Sequence, residues 1–310
     1  MKKQNSLFLK FNIFFLRAIL RVIALIPIPL MQVFAVGIGK LVLLFPKSKM
    51  IGTAKINLNF CLPEYSMQKR NIILTQSIIR SIAIGCEMPY IFFRGYSKVT
   101  SHVTRTPGIE KVEAQINSRP NKGVLLLGPH IGNWEIAIIY ISKKFKTNIL
   151  YTPQKSTVFD EIVKSSRTRY GLNMIPADLA GIKEMYTALK RGEVVVMLTD
   201  QVPKGGRGAV QVPFFNKHAA TMTLPTKLYE KFSPSIFMVA CLSKGPGKGF
   251  HFLFDDSIVS NIEIAKNIPD VEDYFAYGCN LTYEKIIREY PDQYQWIYKR
   301  YKHSDWYSYP

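Results

Sequence analysis

The stretch Val124-Leu-Leu-Leu-Gly-Pro-His-Ile-Gly-Asn-Trp-Glu135 joins an apolar run to a turn and then to a helix start. Its first four residues predict a buried strand, which the following Gly-Pro pair interrupts. Asn133 is a residue type that commonly caps the beginning of a helix. We therefore expect His130 in the turn at the carboxyl end of a strand, and Glu135 in the first turn of the next helix.

This turn carries the residues for acid–base chemistry. In open α/β sheets, sites gather outside the carboxyl ends of the strands, and the helix dipole favours a carboxylate in the first helical turn. We expect Glu135 to reach one imidazole nitrogen of His130 and fix its tautomer, which leaves the other nitrogen free to take a proton from an alcohol. The motif supplies no serine nucleophile, so the pair predicts that a substrate hydroxyl attacks a bound acyl thioester directly.

The spacing of His130 and Glu135 alone also fits a purely structural histidine at a helix start. A zinc-protease helix is excluded, since the HExxH pattern is absent.

Short apolar runs bounded by turn residues alternate with longer helical patterns along the rest of the chain. The runs predict strands at Val124–Leu127, Asn148–Tyr151, Leu172–Ile175, Val194–Leu198, Ile236–Cys241 and Phe252–Phe254. The helical patterns cover Ser66–Phe93, Asn133–Lys144, Val158–Tyr170, Leu179–Arg191 and about Asp270–Glu289, with Ser66 and Asp178 as caps and Gly192 as a helix end. This alternation predicts an α/β fold with a mostly parallel central sheet flanked by helices.

The charge of the chain is strongly unbalanced. Among 310 residues, 41 Lys and Arg face 22 Asp and Glu, a formal net charge of +19. Such a balance implies an anionic partner: nucleic acid, anionic lipid or an acidic carrier protein. The chain lacks zinc-finger spacing and the paired aromatic residues of an RNA-binding sheet, which argues against nucleic acid.

Four cysteines, Cys61, Cys86, Cys241 and Cys279, are scattered without CxxC spacing. They are typical of ordinary buried thiols in a reducing compartment and predict neither a disulfide framework nor a zinc site.

The amino-terminal segment combines basic and aromatic residues with an apolar run. Basic residues at Lys2, Lys3, Lys10, Arg17 and Arg21 are interspersed with Phe8, Phe11, Phe14 and Phe15. The run from Val22 to Gly39 has 18 residues, the lower limit for a spanning helix, and Pro27, Pro29 and Gln32 interrupt it. A signal peptide and a buried core helix are the alternatives. We predict a membrane anchor at residues 1–46, spanning or lying in the interface, and an enzymatic domain at 47–310.

The stretch from Gly128 to Glu135 resembles the HX4D/E motif of the glycerolipid acyltransferase superfamily. With Asn133-Trp134-Glu135 inside it, it is similar to the lipid A late acyltransferases, the lauroyl and myristoyl transferases of Gram-negative bacteria. Further blocks resemble this family along most of the chain: Asn57–Glu64, Arg167-Thr-Arg169-Tyr-Gly171, Thr199-Asp-Gln201 with Gly206, Val212–Phe215 and Ala219–Thr221, and Pro291–Trp296 with Arg300 and Lys302.

The resemblance implies roles for the site residues. His130 would be the general base and Glu135 would orient it. Arg167 and Arg169 would bind a phosphate or the developing oxyanion, with a solvated basic helix end as the alternative. Asp200 and Gln201, which follow a predicted strand, would bind substrate, and so would Asn133. For Asp200, a structural cap of the Gly-rich turn that follows is the alternative. Pro291–Trp296 is predicted to pack, whereas Arg300 and Lys302 lie among aromatic residues in a mixture suited to lipid headgroups.

The resemblance also implies the acyl donor, the acceptor and the cellular location of the protein. The donor would be an acyl chain on acyl carrier protein or coenzyme A, and the acceptor an anionic, phosphorylated lipid A precursor bearing Kdo. The acidic carrier protein suits the net charge of +19. The family resemblance calls for no metal and no organic cofactor. The expected location is the cytoplasmic face of the bacterial inner membrane.

Alternatives remain open at this point. The same fold also serves acyltransferases that act on glycerophospholipids, glycolipids or ornithine lipids, and a thioesterase-like hydrolase would replace the alcohol by water. A non-enzymatic basic membrane protein would make His130 and Glu135 dispensable. Two departures from the family pattern, Asn216-Lys217 and Pro225, leave the shape of an acyl pocket in question.

Overall fold

The structure is a computed structural model that describes residues 2–304, 306, 307 and 309. The helices are α1 Lys2–Ile23, α2 Ile28–Leu43, α3 Lys49–Cys61, α4 Met67–Phe93, α5 Tyr96–Thr100, α6 Ile109–Ser118, α7 Trp134–Lys144, α8 Thr157–Arg169, α9 Leu179–Lys190, α10 Leu224–Phe232, α11 Ser257–Lys266 and α12 Tyr274–Glu289. The strands are β1 Val103–Arg105, β2 Val124–Gly128, β3 Thr147–Tyr151, β4 Asn173–Pro176, β5 Val194–Leu198, β6 Ala209–Phe214, β7 Lys217–Met222, β8 Ser235–Ser243 and β9 Phe250–Asp255.

A seven-stranded sheet organises the molecule. Its strand order is β1-β9-β8-β2-β5-β3-β4, and β2 lies at its centre. The strands β8 and β9 pair antiparallel, whereas the other neighbours in this sheet pair parallel. The predicted α/β architecture with a mostly parallel sheet is confirmed.

Most of the helices and strands predicted from the sequence begin and end within one or two residues of their bounds in the structure. Ser66, Asn133 and Asp178 each accept a hydrogen bond from a backbone amide three residues later, so all three act as helix caps. Gly192 follows α9 with φ +74°, a conformation that favours glycine at a helix end.

The sequence reading missed a two-stranded hairpin, β6–β7. Its turn contains Phe215 and Asn216, both with positive φ. Asn216 and Lys217, whose departure from the family pattern left the acyl pocket in question, are exposed at this turn. Pro225 is buried at the start of α10, where proline commonly begins a helix.

The central strand β2 is buried along its whole length, as expected for a strand covered on both faces. On one face, Leu125 and Leu127 pack in a cluster that contains residues of α3, α9 and α12. On the other face, Val124 and Leu126 pack in a cluster with residues of α7, α8 and β9. Helices therefore cover both faces of the sheet and exclude water from it.

The amino-terminal apolar run is divided between two helices. None of the described helices is by itself long and apolar enough to cross a membrane, but Leu9–Ile23 and Ile28–Leu43 meet the length and composition together and are bent by 103° at their junction. Pro27 lies at the start of α2. The side chains of Lys2, Lys3 and Phe8 lie outside the described residues.

Helix α2 packs against α4 and joins the core of the protein. Ile28 and Met31 belong to the same buried cluster as Leu126 of the central strand. Near the other end of α2, a Cβ on Gly39 would lie 2.6 Å from Ile79 of α4, so only glycine permits this close approach. The division into an anchor at 1–46 and an enzymatic domain at 47–310 stays a prediction.

The carboxyl-terminal segment is held by a buried amide. Asn57 of α3 donates its side-chain amide to the carbonyls of Trp296 and Tyr298 at 2.6 and 2.7 Å. The predicted packing role of Pro291–Trp296 is confirmed, since Trp296 is fully buried. The predicted headgroup contact is wrong for Arg300, which is 1% exposed and donates to the Ala220 carbonyl and the Thr221 hydroxyl.

Candidate active site

The pairing of β2 with β5 brings the predicted site residues together. These strands are parallel, and Gly128 lies opposite Leu198 at their carboxyl ends. His130 and Asp200 each follow two residues later, and the Thr199 amide extends the pairing by donating to the Gly128 carbonyl at 3.1 Å. The imidazole Nδ1 of His130 consequently lies 2.6 Å from Oδ1 of Asp200.

The turn between His130 and α7 is fixed on several sides. The Gln295 amide donates to the His130 carbonyl at 3.1 Å, and the Gly132 amide donates to the Gln293 carbonyl at 3.0 Å. The Asn133 amide donates to the Cys241 carbonyl at 2.7 Å. Gly132 has φ +59°, and a Cβ there would lie 1.9 Å from the Cys241 carbonyl oxygen. The glycine in the motif is therefore required by close approach of the β8 backbone.

Asp200 has the properties of a group that orients a histidine. It is 2% exposed. Burial opposes its ionisation, but the adjacent His130, through its charge and its hydrogen bonds, outweighs burial and lowers the pKa of Asp200 below its ordinary value. An ionised carboxylate only accepts hydrogen bonds, so it selects the His130 tautomer that carries a proton on Nδ1.

The second imidazole nitrogen is available for chemistry. Among the described residues, none makes a hydrogen bond to Nε2 of His130, and the side chain is 17% exposed. Trp134 packs edge-on against the ring with the centroids 5.0 Å apart. Asp200 and Trp134 thus hold the ring, and Nε2 is the ring nitrogen without a hydrogen bond from the described residues.

The predicted contact between Glu135 and His130 is wrong. The buried carboxylate of Glu135 instead forms a two-point ion pair with Arg167 of α8, in which Nε donates at 3.2 Å and Nη2 makes a second, shorter contact. A buried carboxylate needs a partner that offsets its loss of hydration, and a guanidinium supplies two parallel donors. Asp200, from the neighbouring strand, takes the position at His130 that the sequence reading gave to Glu135.

The remaining predicted site residues have protein partners. Arg169 donates to the carbonyls of Phe92 and Arg94 at the end of α4. The side-chain amide of Gln201 donates to the side-chain oxygen of Gln295 at 2.9 Å. The backbone amide of Gln295 in turn donates to the His130 carbonyl. Gln201 therefore lies close to the turn that carries His130, whereas Arg169 links α8 to α4. Their roles in substrate binding stay predictions.

Asn133 is part of a buried network that the sequence reading missed. Its amide donates to Oε2 of Glu87 at 2.5 Å, and Gln32 of α2 donates to Oε1 of the same carboxyl at 2.7 Å. Burial raises the pKa of Glu87 to about 7, although these two hydrogen bonds and the charge of Arg80 oppose the rise. The sequence carries no local signal for this contact, because Glu87 and Asn133 are 46 residues apart and are brought together only by tertiary packing.

No group of three or more His, Cys, Asp or Glu residues in the described part of the chain has the arrangement to hold a metal ion. The four cysteines are free thiols.

Comparison with known proteins assigns the chain to a family. A family model described as bacterial lipid A biosynthesis acyltransferase matches residues 1–303. The chain belongs to this family. It is 28% identical over 289 residues to a lipid A biosynthesis lauroyltransferase of Escherichia coli K12, which covers 92% of this chain and 89% of that protein. It is 24% identical to a lipid A biosynthesis palmitoleoyltransferase of the same organism, over 89% of this chain and 86% of that protein.

A lipid A biosynthesis acyltransferase of Haemophilus influenzae is 24% identical over 92% of this chain and 88% of that protein. The protein is thus an acyltransferase, and the resemblance stated from its motifs is confirmed.

The geometry predicts unequal effects of removing the two carboxylates of this acyltransferase. Asp200→Asn should lower kcat by about 10⁴-fold with little loss of stability, because the amide no longer selects the reactive tautomer. Glu135→Gln should instead lower the free energy of unfolding by about 3 kcal/mol, because it leaves the buried Arg167 charge without its partner. Steady-state kinetics and urea unfolding of both variants measure these effects.

Asp256→Asn, at an exposed aspartate paired with Lys111, serves as the control. A stable Glu135→Gln protein without activity, together with an active Asp200→Asn protein, would contradict the assignment of Asp200 as the group that orients His130.

The buried Glu87 predicts a pH-dependent stability. The folded state binds this proton more tightly than the unfolded chain does, since the pKa is about 7 against an ordinary 4.5. The contribution of the Glu87 proton to the free energy of unfolding is therefore fully present below pH 4.5. It is lost as the pH rises through 7, and the total loss is about 3 kcal/mol. Glu87→Gln should remove this titration.

The measurement is urea unfolding of wild type and Glu87→Gln from pH 4 to 8, with the exposed Glu263→Gln as the matched control. The stability difference between wild type and Glu87→Gln should fall with rising pH. A difference that stays constant over this range would contradict a raised pKa.

Proposed function

We propose that this acyltransferase moves a fatty acyl chain from a thioester donor to a hydroxyl of a lipid A precursor, with His130 as the general base. The supporting observation is the 2.6 Å contact between Nδ1 of His130 and the buried Asp200, which leaves Nε2 as the proton acceptor. The hydrogen bond to an ionised carboxylate also stabilises the imidazolium that forms when the ring accepts a proton.

The reaction needs no covalent enzyme intermediate. The acceptor oxygen attacks the thioester carbonyl carbon while Nε2 of His130 takes the hydroxyl proton. The tetrahedral intermediate then collapses, the carbon–sulfur bond breaks, and the imidazolium returns the proton to the departing thiolate. The products are an ester and a free thiol, so the proton and the electron pairs balance.

Arg167 is the candidate to stabilise negative charge near the base. Two of its nitrogens donate to Glu135, and a guanidinium has five N–H donors in all. The remaining donors are available for a phosphate or for the oxyanion. In this proposal Glu135 holds Arg167 in place, and its position in the first turn of α7 keeps that arginine beside the motif that carries His130.

The charge of the chain supports anionic partners on both sides of the reaction. Acyl carrier protein and coenzyme A are both anionic, and so is a phosphorylated lipid A precursor. A net charge of +19 raises the rate of encounter with such partners and is sensitive to salt.

The two amino-terminal helices are the proposed membrane contact, at the cytoplasmic face of the inner membrane. They expose large apolar side chains to solvent: Phe11, Phe14, Phe15, Ile19, Val22, Leu25, Leu30, Val33, Phe34, Ile38 and Leu41. An apolar surface of this extent calls for a partner. The bend of 103° between the helices suits helices that lie in the interface, with the exposed Arg21 available to anionic headgroups.

The catalytic proposal predicts that His130→Ala reduces transfer of labelled acyl chains to a lipid A precursor by at least about 10³-fold, because the hydroxyl loses its base. The control is His218→Ala, which removes an exposed histidine of the β6–β7 hairpin. The assay uses the full chain with acyl carrier protein and coenzyme A donors in parallel, and circular dichroism checks that both variants fold.

Equal transfer by wild type and His130→Ala would overturn the catalytic role. Release of free fatty acid at the rate of wild-type transfer, with no acylated lipid formed, would show that water is the acceptor and would favour a hydrolase.

The membrane proposal predicts that the double variant Phe14→Ser, Val22→Ser binds vesicles at least about tenfold more weakly, because two large apolar side chains no longer leave water. Flotation with vesicles of phosphatidylethanolamine and phosphatidylglycerol measures the binding. Ile264→Ser, at an exposed position of α11, is the matched control. Equal binding of the double variant and wild type would place the membrane contact elsewhere.

A further inference from the structure

A cavity of about 160 Å³ lies between α2, α4 and the turn that joins His130 to α7. Gly132 and Asn133 of the motif form part of its wall. Apolar side chains from α2, α4 and β9 supply much of the rest: Val36, Ile79, Ala83, Ile84 and Phe250. Its volume is similar to that of an apolar cavity of about 150 Å³ that admits benzene.

Most polar side chains of the cavity wall, with the exception of the exposed Gln76, have hydrogen-bond partners within the protein. Both oxygens of Glu87 accept hydrogen bonds, from Gln32 and Asn133. Arg80 donates to Asp292 at 2.7 Å, and the Gln293 side chain exchanges two hydrogen bonds with the Ser243 backbone. A wall whose polar groups are satisfied by one another offers little to a polar ligand and suits an apolar one.

The shape of the cavity follows from the packing of α2 on α4. The helices touch at Gly39 and Ile79, where a Cβ on the glycine would lie only 2.6 Å from the isoleucine. Closer to the start of α2, Gln32 donates a hydrogen bond to Glu87 of α4 at 2.7 Å, and the cavity lies beside Val36, which comes between these two contacts along α2. On the outer side of the same helix, Val33 and Phe34 are exposed, so the cavity borders the apolar surface of the two amino-terminal helices.

The cavity is also close to the reacting atoms. His130 and Asn133 are three residues apart, so their Cα atoms are separated by no more than about 11 Å. A saturated acyl chain whose carbonyl carbon is at His130 covers that distance with part of its length.

We propose that this cavity receives the distal part of the donor's acyl chain and thereby sets the length of chain that is transferred. The inference rests on the proposed function, because it takes His130 as the point where the thioester carbonyl is attacked. Ala83, Ile79 and Ile84 of α4 determine the depth of the cavity, and α2 closes its outer side. The positions that departed from the family pattern, Asn216, Lys217 and Pro225, do not line it.

The test is a change in chain-length preference when the volume of the cavity changes. Decanoyl, lauroyl, myristoyl and palmitoyl donors are compared by kcat/KM with the full-length protein. Ala83→Phe should lower the ratio of the palmitoyl to the decanoyl value by at least about tenfold, because filling a hydrophobic pocket excludes the last methylenes. Ile79→Ala enlarges the cavity and should shift the same ratio in the opposite direction.

Thr75→Phe, which introduces the same residue at an exposed position of α4, should leave the ratio unchanged. A ratio that stays at the wild-type value in both cavity variants, or that shifts equally in Thr75→Phe, would overturn the proposal.

A second readout does not depend on turnover. A donor whose acyl chain ends in a diazirine is bound to the protein and irradiated, and the cross-linked peptide is identified by mass spectrometry. Labelling within 76–87 or on α2 supports the cavity as the site of the chain, whereas labelling confined to other segments overturns it. Wild type that transfers no acyl chain would refute the proposed function, and the cross-link would then still decide whether the cavity binds the chain.

Discussion

The parallel pairing of β2 with β5 is the constraint on which the site depends. The register that puts Gly128 opposite Leu198 makes both strands end at the same level, so the residues two positions further along each strand meet. Nδ1 of His130 then forms a hydrogen bond with the buried carboxylate of Asp200, and Nε2 has no hydrogen bond from the described residues. A shift of one residue in this register would move the side chains of one strand to the opposite face of the sheet and separate the pair.

Two carboxyl groups buried near the turn after His130, those of Glu135 and Glu87, are stabilised in different ways. Glu135 is neutralised by the guanidinium of Arg167, which supplies two donors in one plane. Glu87 has two amide donors and no ion pair, and burial raises its pKa to about 7. The first arrangement keeps a cation beside the motif. The second ties α2 and α4 to the cap of α7, so that the packing of the amino-terminal helices and the geometry of the turn are physically connected.

The same amino-terminal helices face two environments. Their inner side adds Ile28 and Met31 to the core and borders the cavity, whereas their outer side exposes a row of large apolar residues. In the proposed function this segment is therefore both a wall of the acyl site and a contact with the membrane.

The sequence by itself determined the α/β class, the central strand, the approximate bounds of the helices that it predicted and the place of His130 at the carboxyl end of a strand. These follow from periodicity, from capping residues and from turn chemistry, all of which act between residues close in the chain. The ordered motifs also identified the family correctly. Only the tertiary structure decided which carboxylate holds His130, where Arg300 lies and how Glu87 is paired. These contacts join residues 46 to 80 positions apart, and their partners are selected by strand register and by the need to satisfy buried charge, neither of which is visible in local spacing.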